Sequence, residues 1–271
     1  MRIKKNPRPC GIAGKGAKKM EIKQNILIRV DNNDIKGGTF TIPDGVTSIG
    51  DEAFFFCKGL ESITIPNGVT SIGYGAFSFC SGLETITVDK NSQNYTDTDG
   101  VLFNKDCTEL ICFPAGRKGT YEIPDSVKSI GNWAFDRCSG LTSITIPDSV
   151  TSIGNYAFAY CALTSKQANY KAFHIKGNKL LCRGKTYSEG ERNSVQGNLK
   201  LFENGIHYCT NLFEIFNYYH GELDTDIAIY KIEVGKKVIK DQYSSKCCTN
   251  SCILKKRLYR TDIIKILNGE D

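Results

Sequence analysis

A 23-residue segment recurs along this chain and constrains its fold more than any other feature. Its signature opens with Ile-Pro, continues through Val and Ile-Gly, and ends in Ala-Phe-x-x-Cys. Close copies of this signature occupy residues 42–57, 65–80, 123–138 and 146–161. A unit this short cannot bury its apolar face alone, so the copies must stack and share a continuous core. The repetition therefore predicts a solenoid.

Each repeat carries its own local structural signals. In the second copy, Leu60–Ile65 alternates apolar and polar residues as a β-strand does. Pro66 ends that strand, because proline cannot donate to a strand ladder. A second short extended segment follows, Gly73 permits a turn, and residues 74–80 are predicted to form about one helical turn. The expected unit is thus of α/β type, with short strands and a short helical turn.

One repeat departs from the pattern. It opens with Ile86–Val88 and includes the apolar stretches 101–103 and 110–114. Val88 and Ile123 are 35 residues apart, which is one period plus an insertion of twelve residues. The polar stretch 90–99, with Asn91, Asn94 and Tyr95, is predicted to be a surface loop that carries function.

Two residue types recur at fixed repeat positions and are expected in the core. One position is predicted to form a single buried aromatic row of Phe54, Phe77, Phe135 and Phe158. The other is predicted to form a ladder of buried, reduced thiols at Cys57, Cys80, Cys138 and Cys161.

Charge divides the chain into three parts. The net charge is +7 for residues 1–39, −7 for 40–164 and +6 for 165–271. We expect 1–39 to be a basic segment followed by a cap of the solenoid. The acidic middle would repel phosphate, which argues against nucleic acid as the partner of the solenoid, whereas the basic N-terminal segment keeps that alternative open. The absence of a secretory signal pattern and of a long apolar run predicts a cytoplasmic protein.

The 23-residue period stops near residue 164, and we expect a separate small α+β domain over 165–271. Residues 171–175, 180–183, 205–209 and 227–234 have the apolar patterns of strands. Thr210 is the expected N-cap of a short helix that ends at Tyr219.

The repeat signature resembles the BspA-type leucine-rich repeat over about residues 40–164. The diverged unit resembles a variant that is common in that family. The family is chiefly bacterial and serves mostly in protein binding and surface attachment, so the resemblance implies a binding scaffold.

Residues 170–267 resemble a domain of unknown function found in phage and prophage proteins. The similarity is carried by the turn at 184–190, the strand at 205–209 and the Tyr218–Tyr219 helix end. A more distant similarity to the ADP-ribosyltransferase fold would place Arg183 and His207 beside a nicotinamide pocket. That fold also needs a Glu on a loop, whereas Glu233 lies inside a predicted strand.

Cys247, Cys248 and Cys252 lack zinc-finger spacing, and we predict neither a metal nor a cofactor, although a metal site or disulfides remain the alternative. Two function classes follow. The first is a protein-interaction scaffold joined to a phage-associated accessory domain, and the alternative is a repeat-targeted enzyme or nucleotide-binding protein. We favour the first, with an unidentified protein partner in phage–host or bacterial interaction. The candidate binding residues are Glu61, Thr64, Glu84, Thr87, Tyr95, Thr145, Arg183, His207, Tyr218 and Tyr219.

Overall fold

The computed structural model describes most of the chain. The described residues are 20–165, 168–176, 179–182, 185–194, 206–219, 221–236, 238–241, 245–249 and 251–270. The basic residues 1–19 and the candidate residue Arg183 lie outside these ranges. No helix in the described ranges is long and apolar enough to cross a membrane.

Residues 20–165 form the predicted solenoid, which consists of short strands joined by tight turns. Its strands are β1 (Glu21–Lys23), β2 (Ile26–Arg29), β3 (Thr39–Thr41), β4 (Ser48–Ile49), β5 (Ser62–Ile65), β6 (Ser71–Ile72), β7 (Thr85–Val88), β8 (Tyr95–Thr98), β9 (Val101–Asn104), β10 (Glu109–Cys112), β11 (Gly119–Glu122), β12 (Ser129–Ile130), β13 (Leu141–Thr145) and β14 (Ser152–Ile153). A single turn of 3-10 helix, Asn32–Asp34, precedes β3.

The strand pairings reproduce the 23-residue period. Strands β3, β5 and β7 run parallel, with Ser62 opposite Thr85. The shorter strands β2, β4 and β6 also run parallel, with Ser48 opposite Ser71. The antiparallel strand β1 covers the free edge of β2 and so closes the N-terminal end.

The diverged repeat divides the solenoid into two blocks. Its insertion forms a β-hairpin of β8 and β9, which continues into β10, β12 and β14. Within residues 20–165, β6 pairs with no strand of the second block and β7 pairs with neither β11 nor β13. The core is divided in the same way, into one cluster from Leu27 to Leu102 and another that begins at Val101.

The segment predicted to be a helical turn is not helical. Alternate backbone N–H groups donate to the neighbouring repeat, and those between them close tight turns, as Phe55 N does by donating to Glu52 O at 2.9 Å. Phe54 N donates to Ala76 O, and Phe135 N donates to Ala157 O, at 2.8 Å in each case. These donors are therefore not available for the hydrogen bonds of an α-helix.

Gly73 is required for a reason other than turn conformation. A Cβ atom at this position would lie 2.4 Å from Asp51 N of the preceding repeat. The equivalent Gly154 would place a Cβ 2.6 Å from Asn132 N. Glycine at this position therefore allows the backbones of adjacent repeats to approach each other.

The predicted aromatic row is two stacks. All four predicted Phe side chains are buried. Phe54 stacks on Phe77 with 5.3 Å between ring centroids, and Phe135 stacks on Phe158 at 5.2 Å. Phe113 of the diverged repeat extends the second stack. The row is interrupted between Phe77 and Phe113, where the solenoid itself divides.

The cysteine ladder is buried at three of its four positions. Cys57, Cys80 and Cys138 are buried, whereas Cys161 is partly exposed, which corrects the prediction for that residue. Each thiol lies under a carbonyl of the preceding repeat, as in the 3.0 Å contact from Cys80 Sγ to Phe54 O. Burial raises the pKa of the Cys57 thiol to about 12, so it is protonated at neutral pH.

The C-terminal region is a mixed domain dominated by one sheet. Its elements are β15 (Tyr170–Lys176), β16 (Lys179–Cys182), β17 (Lys185–Tyr187), β18 (Arg192–Ser194), β19 (Ile206–Cys209), a 3-10 helix (Leu212–Asn217), β20 (Gly221–Glu222), β21 (Ile227–Val234), β22 (Val238–Lys240), β23 (Lys246–Thr249), β24 (Ser251–Leu258) and α1 (Arg260–Leu267). Strands were predicted at β15, β16, β19 and β21. The N-cap of the 3-10 helix is Asn211 and not Thr210, because the Asn211 side chain accepts from Phe213 N.

This region covers the C-terminal end of the solenoid. Strand β20 pairs with β14, and Tyr156 N donates to Phe216 O at 2.9 Å, as it would to a further repeat. Phe213 meets Phe158 edge to face, with 5.1 Å between centroids. One hydrophobic core therefore continues from the second block of repeats into the C-terminal region.

Candidate functional site

The strand face of the solenoid presents the predicted polar residues to solvent. Thr64 lies opposite Thr87 on the paired strands β5 and β7, and Glu61 and Glu84 immediately precede these strands at equivalent positions. All four side chains are exposed. Thr145 is also exposed, but it lies on the separate β11–β13 sheet of the second block. Four of the predicted strand-face residues therefore lie together on one sheet, and Thr145 lies apart from them on another.

Tyr95 does not project from the insertion. It lies at the start of β8, is partly buried, and packs against the first core cluster. Its hydroxyl donates to Thr70 O at 3.5 Å. Tyr95 therefore attaches the hairpin to the solenoid.

Three predicted residues come together in a cleft of the C-terminal domain. His207, Tyr218 and Tyr219 line this cleft, whose volume is about 250 Å³. His207 comes from β19, and both tyrosines follow the 3-10 helix. Residue 233 is not among the lining residues, and the Glu233 carboxylate instead lies 2.9 Å from Lys255 Nζ.

The charges in this cleft are positive. Lys171 is only 1% exposed, and its ammonium donates to His207 O at 2.9 Å. Lys246 Nζ lies 4.0 Å from the centre of the Tyr218 ring, a cation–π contact. No carboxylate is among the described lining residues. Two lysines therefore supply positive charge at the cleft, and the carboxylates of Glu214 and Asp241 also act on the phenol of Tyr218.

The phenol of Tyr219 is held at the edge of this cleft. Its Oη lies 2.9 Å from Cys182 Sγ, and its ring packs against His174 at 5.2 Å. Burial raises the pKa of Tyr219, so this group is a neutral hydrogen-bonding phenol at physiological pH.

The most exposed aromatic surface lies elsewhere, on the turns that join the repeats. We name it the turn-edge cluster, and it consists of Phe55, Phe56, Phe79, Arg137 and Tyr160. Phe56 stacks on Phe79 with 5.5 Å between centroids. The Arg137 guanidinium lies 3.6 Å from the Phe79 ring centre and 4.3 Å from that of Tyr160. Four repeats are thus joined at the surface by aromatic and cation–π contacts.

Sequence reasoning missed this cluster although its signal was visible. Phe56, Phe79, Arg137 and Tyr160 all occupy the position before Cys in Ala-Phe-x-x-Cys. All four have positive φ, between 55° and 69°, a region where large side chains are uncommon. The repeat alignment shows large side chains at this position, but only the structure shows that they contact one another.

A family model for the BspA type leucine rich repeat region matches residues 32–115 and 112–216. A second model, for a domain of unknown function (DUF7666), matches residues 168–266. No curated protein matches the chain.

Several solved bacterial structures resemble part of the chain. A leucine-rich repeat protein from Eubacterium ventriosum is 35% identical over 45% of this chain and 32% of its own length, with a TM-score of 0.43. A leucine rich cell surface protein from Faecalibacterium prausnitzii is 37% identical over 45% and 39%, with a TM-score of 0.38. The pneumococcal vaccine antigen PcpA is 26% identical over 45% and 36%, with a TM-score of 0.40.

The match therefore spans less than half of each of these proteins. The repeat model, in contrast, spans well over half of this chain and includes both blocks of the solenoid. The chain belongs to the BspA type leucine rich repeat family.

Proposed function

We propose that this chain is a protein-binding scaffold and that the turn-edge cluster is its main contact surface. Phe55 and Phe56 are each 39% exposed and Tyr160 is 64% exposed. Contiguous exposed aromatic side chains with an arginine have the composition of interface hot spots. The strand face, in contrast, offers Ser, Thr and Glu, which contribute little to most interfaces.

The backbone of the turn-edge cluster supports the same proposal. A non-glycine residue in the left-handed region costs of order 1 kcal/mol or more. Phe56, Phe79, Arg137 and Tyr160 each carry this cost at a position that glycine or asparagine would fill more easily. Large side chains at such positions are explained if they bind a partner.

The partner that fits this surface is a protein with exposed apolar side chains and an acceptor oxygen. Arg137 is partly exposed and positively charged, so a partner carbonyl or carboxylate can accept from its guanidinium group. The partner class that we propose is a bacterial protein met in phage–host or bacterial interaction. The resemblance of residues 170–267 to phage-encoded domains supports that setting.

The experiment compares partner capture by matched surface variants. Phe56→Ser with Tyr160→Ser removes aromatic area from the turn-edge cluster. Glu61→Lys with Glu84→Lys changes the strand face. We expect the first pair to reduce bound partner at least about tenfold, because tenfold is about 1.4 kcal/mol and a single hot-spot residue contributes about 2 kcal/mol or more. Quantitative mass spectrometry of captured bacterial proteins measures this.

Two further outcomes decide between surfaces. Tyr95→Ala with Tyr218→Ala tests the insertion and the C-terminal cleft. The proposed contact surface is contradicted if the Phe56 and Tyr160 variant still binds the partner while the Glu61 and Glu84 variant or the Tyr95 and Tyr218 variant does not. Circular dichroism melting of each variant separates loss of binding from loss of folding.

The positive cleft supports a second candidate function, which is binding of a small anion such as a nucleotide phosphate. Lys171 and Lys246 supply the charge, and Tyr218 and Tyr219 supply aromatic surface. Thermal shift with NAD, ATP and inorganic phosphate tests it, with Lys246→Met as the variant and the exposed Lys255→Met as its control. An unchanged melting temperature with all three probes would exclude this function.

A further inference from the structure

A cavity of about 250 Å³ lies in the solenoid between the turn of the second close copy, around Tyr74, and the turn of the third close copy, around Trp133. The diverged repeat lies between these two copies. It connects β10 to β11 through residues 113–118, whereas the next repeat connects β12 to β13 through the longer stretch 131–140. The shorter connection leaves space between the two neighbouring turns, and this space is the cavity.

The walls of this cavity are apolar and aromatic. Ile72, Phe77 and Ile111 line it. The rings of Tyr74 and Trp133 also line it and stand nearly perpendicular, at 84° with 6.1 Å between centroids. Tyr74 is 39% exposed and Trp133 is partly exposed, so neither is enclosed by the fold. Walls of this kind suit an alkyl chain, and aromatic rings attract a cation.

Glu109 supplies a carboxylate to the same cavity. A Cβ atom placed on Gly131, which also lines the cavity, would lie 3.5 Å from Glu109 Oε1. Within the described chain, no group donates a hydrogen bond to the Glu109 carboxylate and no cation pairs with it. Its oxygen atoms are nevertheless not enclosed, since Glu109 is half-buried. Burial raises the pKa of Glu109, as expected for a carboxyl group without a counter-ion.

The charges at the cavity are negative. Asp136 also lines it, but this residue is only 5% exposed and its Oδ2 accepts from Phe79 N at 3.3 Å. No Lys or Arg is among the described lining residues. Arg137 does act on Asp136, but its guanidinium lies over the Phe79 and Tyr160 rings of the turn-edge cluster. An incoming cation can therefore be contacted by Glu109, with Asp136 behind it as a second source of negative charge.

We propose that this cavity receives the side chain of a lysine or arginine of the protein partner, a proposal that rests on the protein-binding function given above. The alkyl stem contacts the apolar walls, the cationic group lies at the Tyr74 and Trp133 rings, and Glu109 accepts its hydrogen bond. The cavity adjoins the turn-edge cluster, because Phe79 of that cluster is bonded to Asp136 of the lining. A partner that covers the cluster can therefore place one basic side chain in the cavity.

Other side chains fit less well. A carboxylate would be repelled by Glu109 and Asp136. A neutral apolar side chain would remove water from the Glu109 carboxylate without replacing its hydrogen bonds, which is costly. The volume lies below the roughly 300–1,000 Å³ of sites for larger ligands, which limits the occupant to about one side chain.

The emission of Trp133 reports on the occupancy of the cavity, because Trp133 is the single tryptophan of the chain. The full chain is titrated at constant ionic strength with n-butylammonium and n-butylguanidinium, and with n-butanol and n-butyrate as neutral and anionic probes. We expect a saturable change with a cationic probe in the millimolar range, which is roughly what five to eight non-hydrogen atoms supply. Glu109→Gln should weaken that affinity at least about tenfold, because it removes a charged acceptor.

Glu122→Gln is the matched control, since Glu122 is exposed and lies outside the lining. It should leave the affinity unchanged. The proposal is overturned if neither cation changes the emission, if n-butanol or n-butyrate binds as tightly as the cations, or if Glu109→Gln binds like the parent chain. Melting of Glu109→Gln checks that it folds, and the comparison of the four probes needs the parent chain alone.

Partner capture gives a second readout. Glu109→Gln should lower the amount of bound partner about fivefold or more, and Glu122→Gln should not. Full retention of the partner by Glu109→Gln would overturn the insertion of a basic side chain but would leave the turn-edge cluster as the contact surface. The free probes bind without a partner, so failure of the proposed function is detected separately, by retention of the partner in Phe56→Ser with Tyr160→Ser.

Discussion

At the scale of single residues, Phe77 and Phe135 hold the same repeat position but have different neighbours. Phe135 stacks on both Phe113 and Phe158, whereas Phe77 stacks on Phe54 alone and lines a cavity of about 250 Å³ beside the diverged repeat. The repeat pattern predicted that both are buried, since burial follows from the period. It could not predict that the aromatic stack is interrupted after Phe77, because the interruption depends on how the diverged repeat packs between the two blocks.

We expect these two phenylalanines to contribute unequally to stability. Phe135→Ala should lower the free energy of unfolding by about 5 kcal/mol and Phe77→Ala by about 3 kcal/mol, the upper and lower ends of the range for buried Phe. Urea denaturation measures both. Equal losses would contradict the interruption of the aromatic row.

Asp136 has an unusual titration because it is buried. Burial raises its pKa from the ordinary 3.8 to about 6, although the Phe79 N–H and the Arg137 charge favour the ionised form. The folded state therefore binds more protons than the unfolded state between about pH 4 and 6, and stability falls as pH rises through that range. The cost at neutral pH is about 3 kcal/mol at most.

Asp136→Asn should therefore raise the melting temperature at pH 7.5. The gain should disappear near pH 4.5, where the parent carboxyl is protonated. Melting curves of the parent and the variant at several pH values measure the difference in melting temperature. Glu109, whose pKa is also raised by burial, is present in both chains, so its contribution cancels in that difference. A variant that is less stable at pH 7.5 would show that the Asp136 charge stabilises the fold.

At the scale of elements, the C-terminal end of α1 completes an edge of the solenoid. Asn268 is the C-cap residue of α1. Its side chain accepts from Ile146 N at 2.8 Å and donates to Ile146 O at 3.0 Å. One side chain thus pairs with the backbone just after β13 as a neighbouring strand would. Sequence patterns could not predict this contact, since it joins residues 122 positions apart.

Asn268→Ala should lower the free energy of unfolding by about 1–2 kcal/mol, because two hydrogen bonds are lost. The exposed Asn67→Ala is the matched control and should have little effect. Chemical denaturation compares the two. If Asn268→Ala has the stability of the parent chain, water replaces both hydrogen bonds to Ile146 without loss of stability, and this contact does not stabilise the fold.

At the scale of the whole molecule, the end of the repeat pattern does not coincide with the end of the core. Phe213 and Phe216 lie beyond the last repeat, yet they pack edge to face on Phe158, where the Phe of a further repeat would stack. The 23-residue period itself stops near residue 164. The shared core arises because a solenoid must cover its last apolar face.

We expect the second block of repeats and the C-terminal domain to unfold together. Differential scanning calorimetry should show one transition for both, since they share one core cluster. Phe216→Ala, on the C-terminal side, should lower that transition as a whole. A separate transition of the C-terminal domain, with the repeats unaffected by Phe216→Ala, would contradict this coupling.

The division between the two blocks has a mechanical consequence. Interior repeats adhere through paired strands and stacked rings, but across the diverged repeat β6 and β7 lack these strand partners and the aromatic stack is interrupted. If the chain is pulled from its ends, the same force acts on every junction, and a junction held by side-chain contacts separates before one that also has paired strands and a continuous aromatic stack. Under load this molecule should therefore extend in two steps, with the first opening at the diverged repeat and the two blocks still folded on either side.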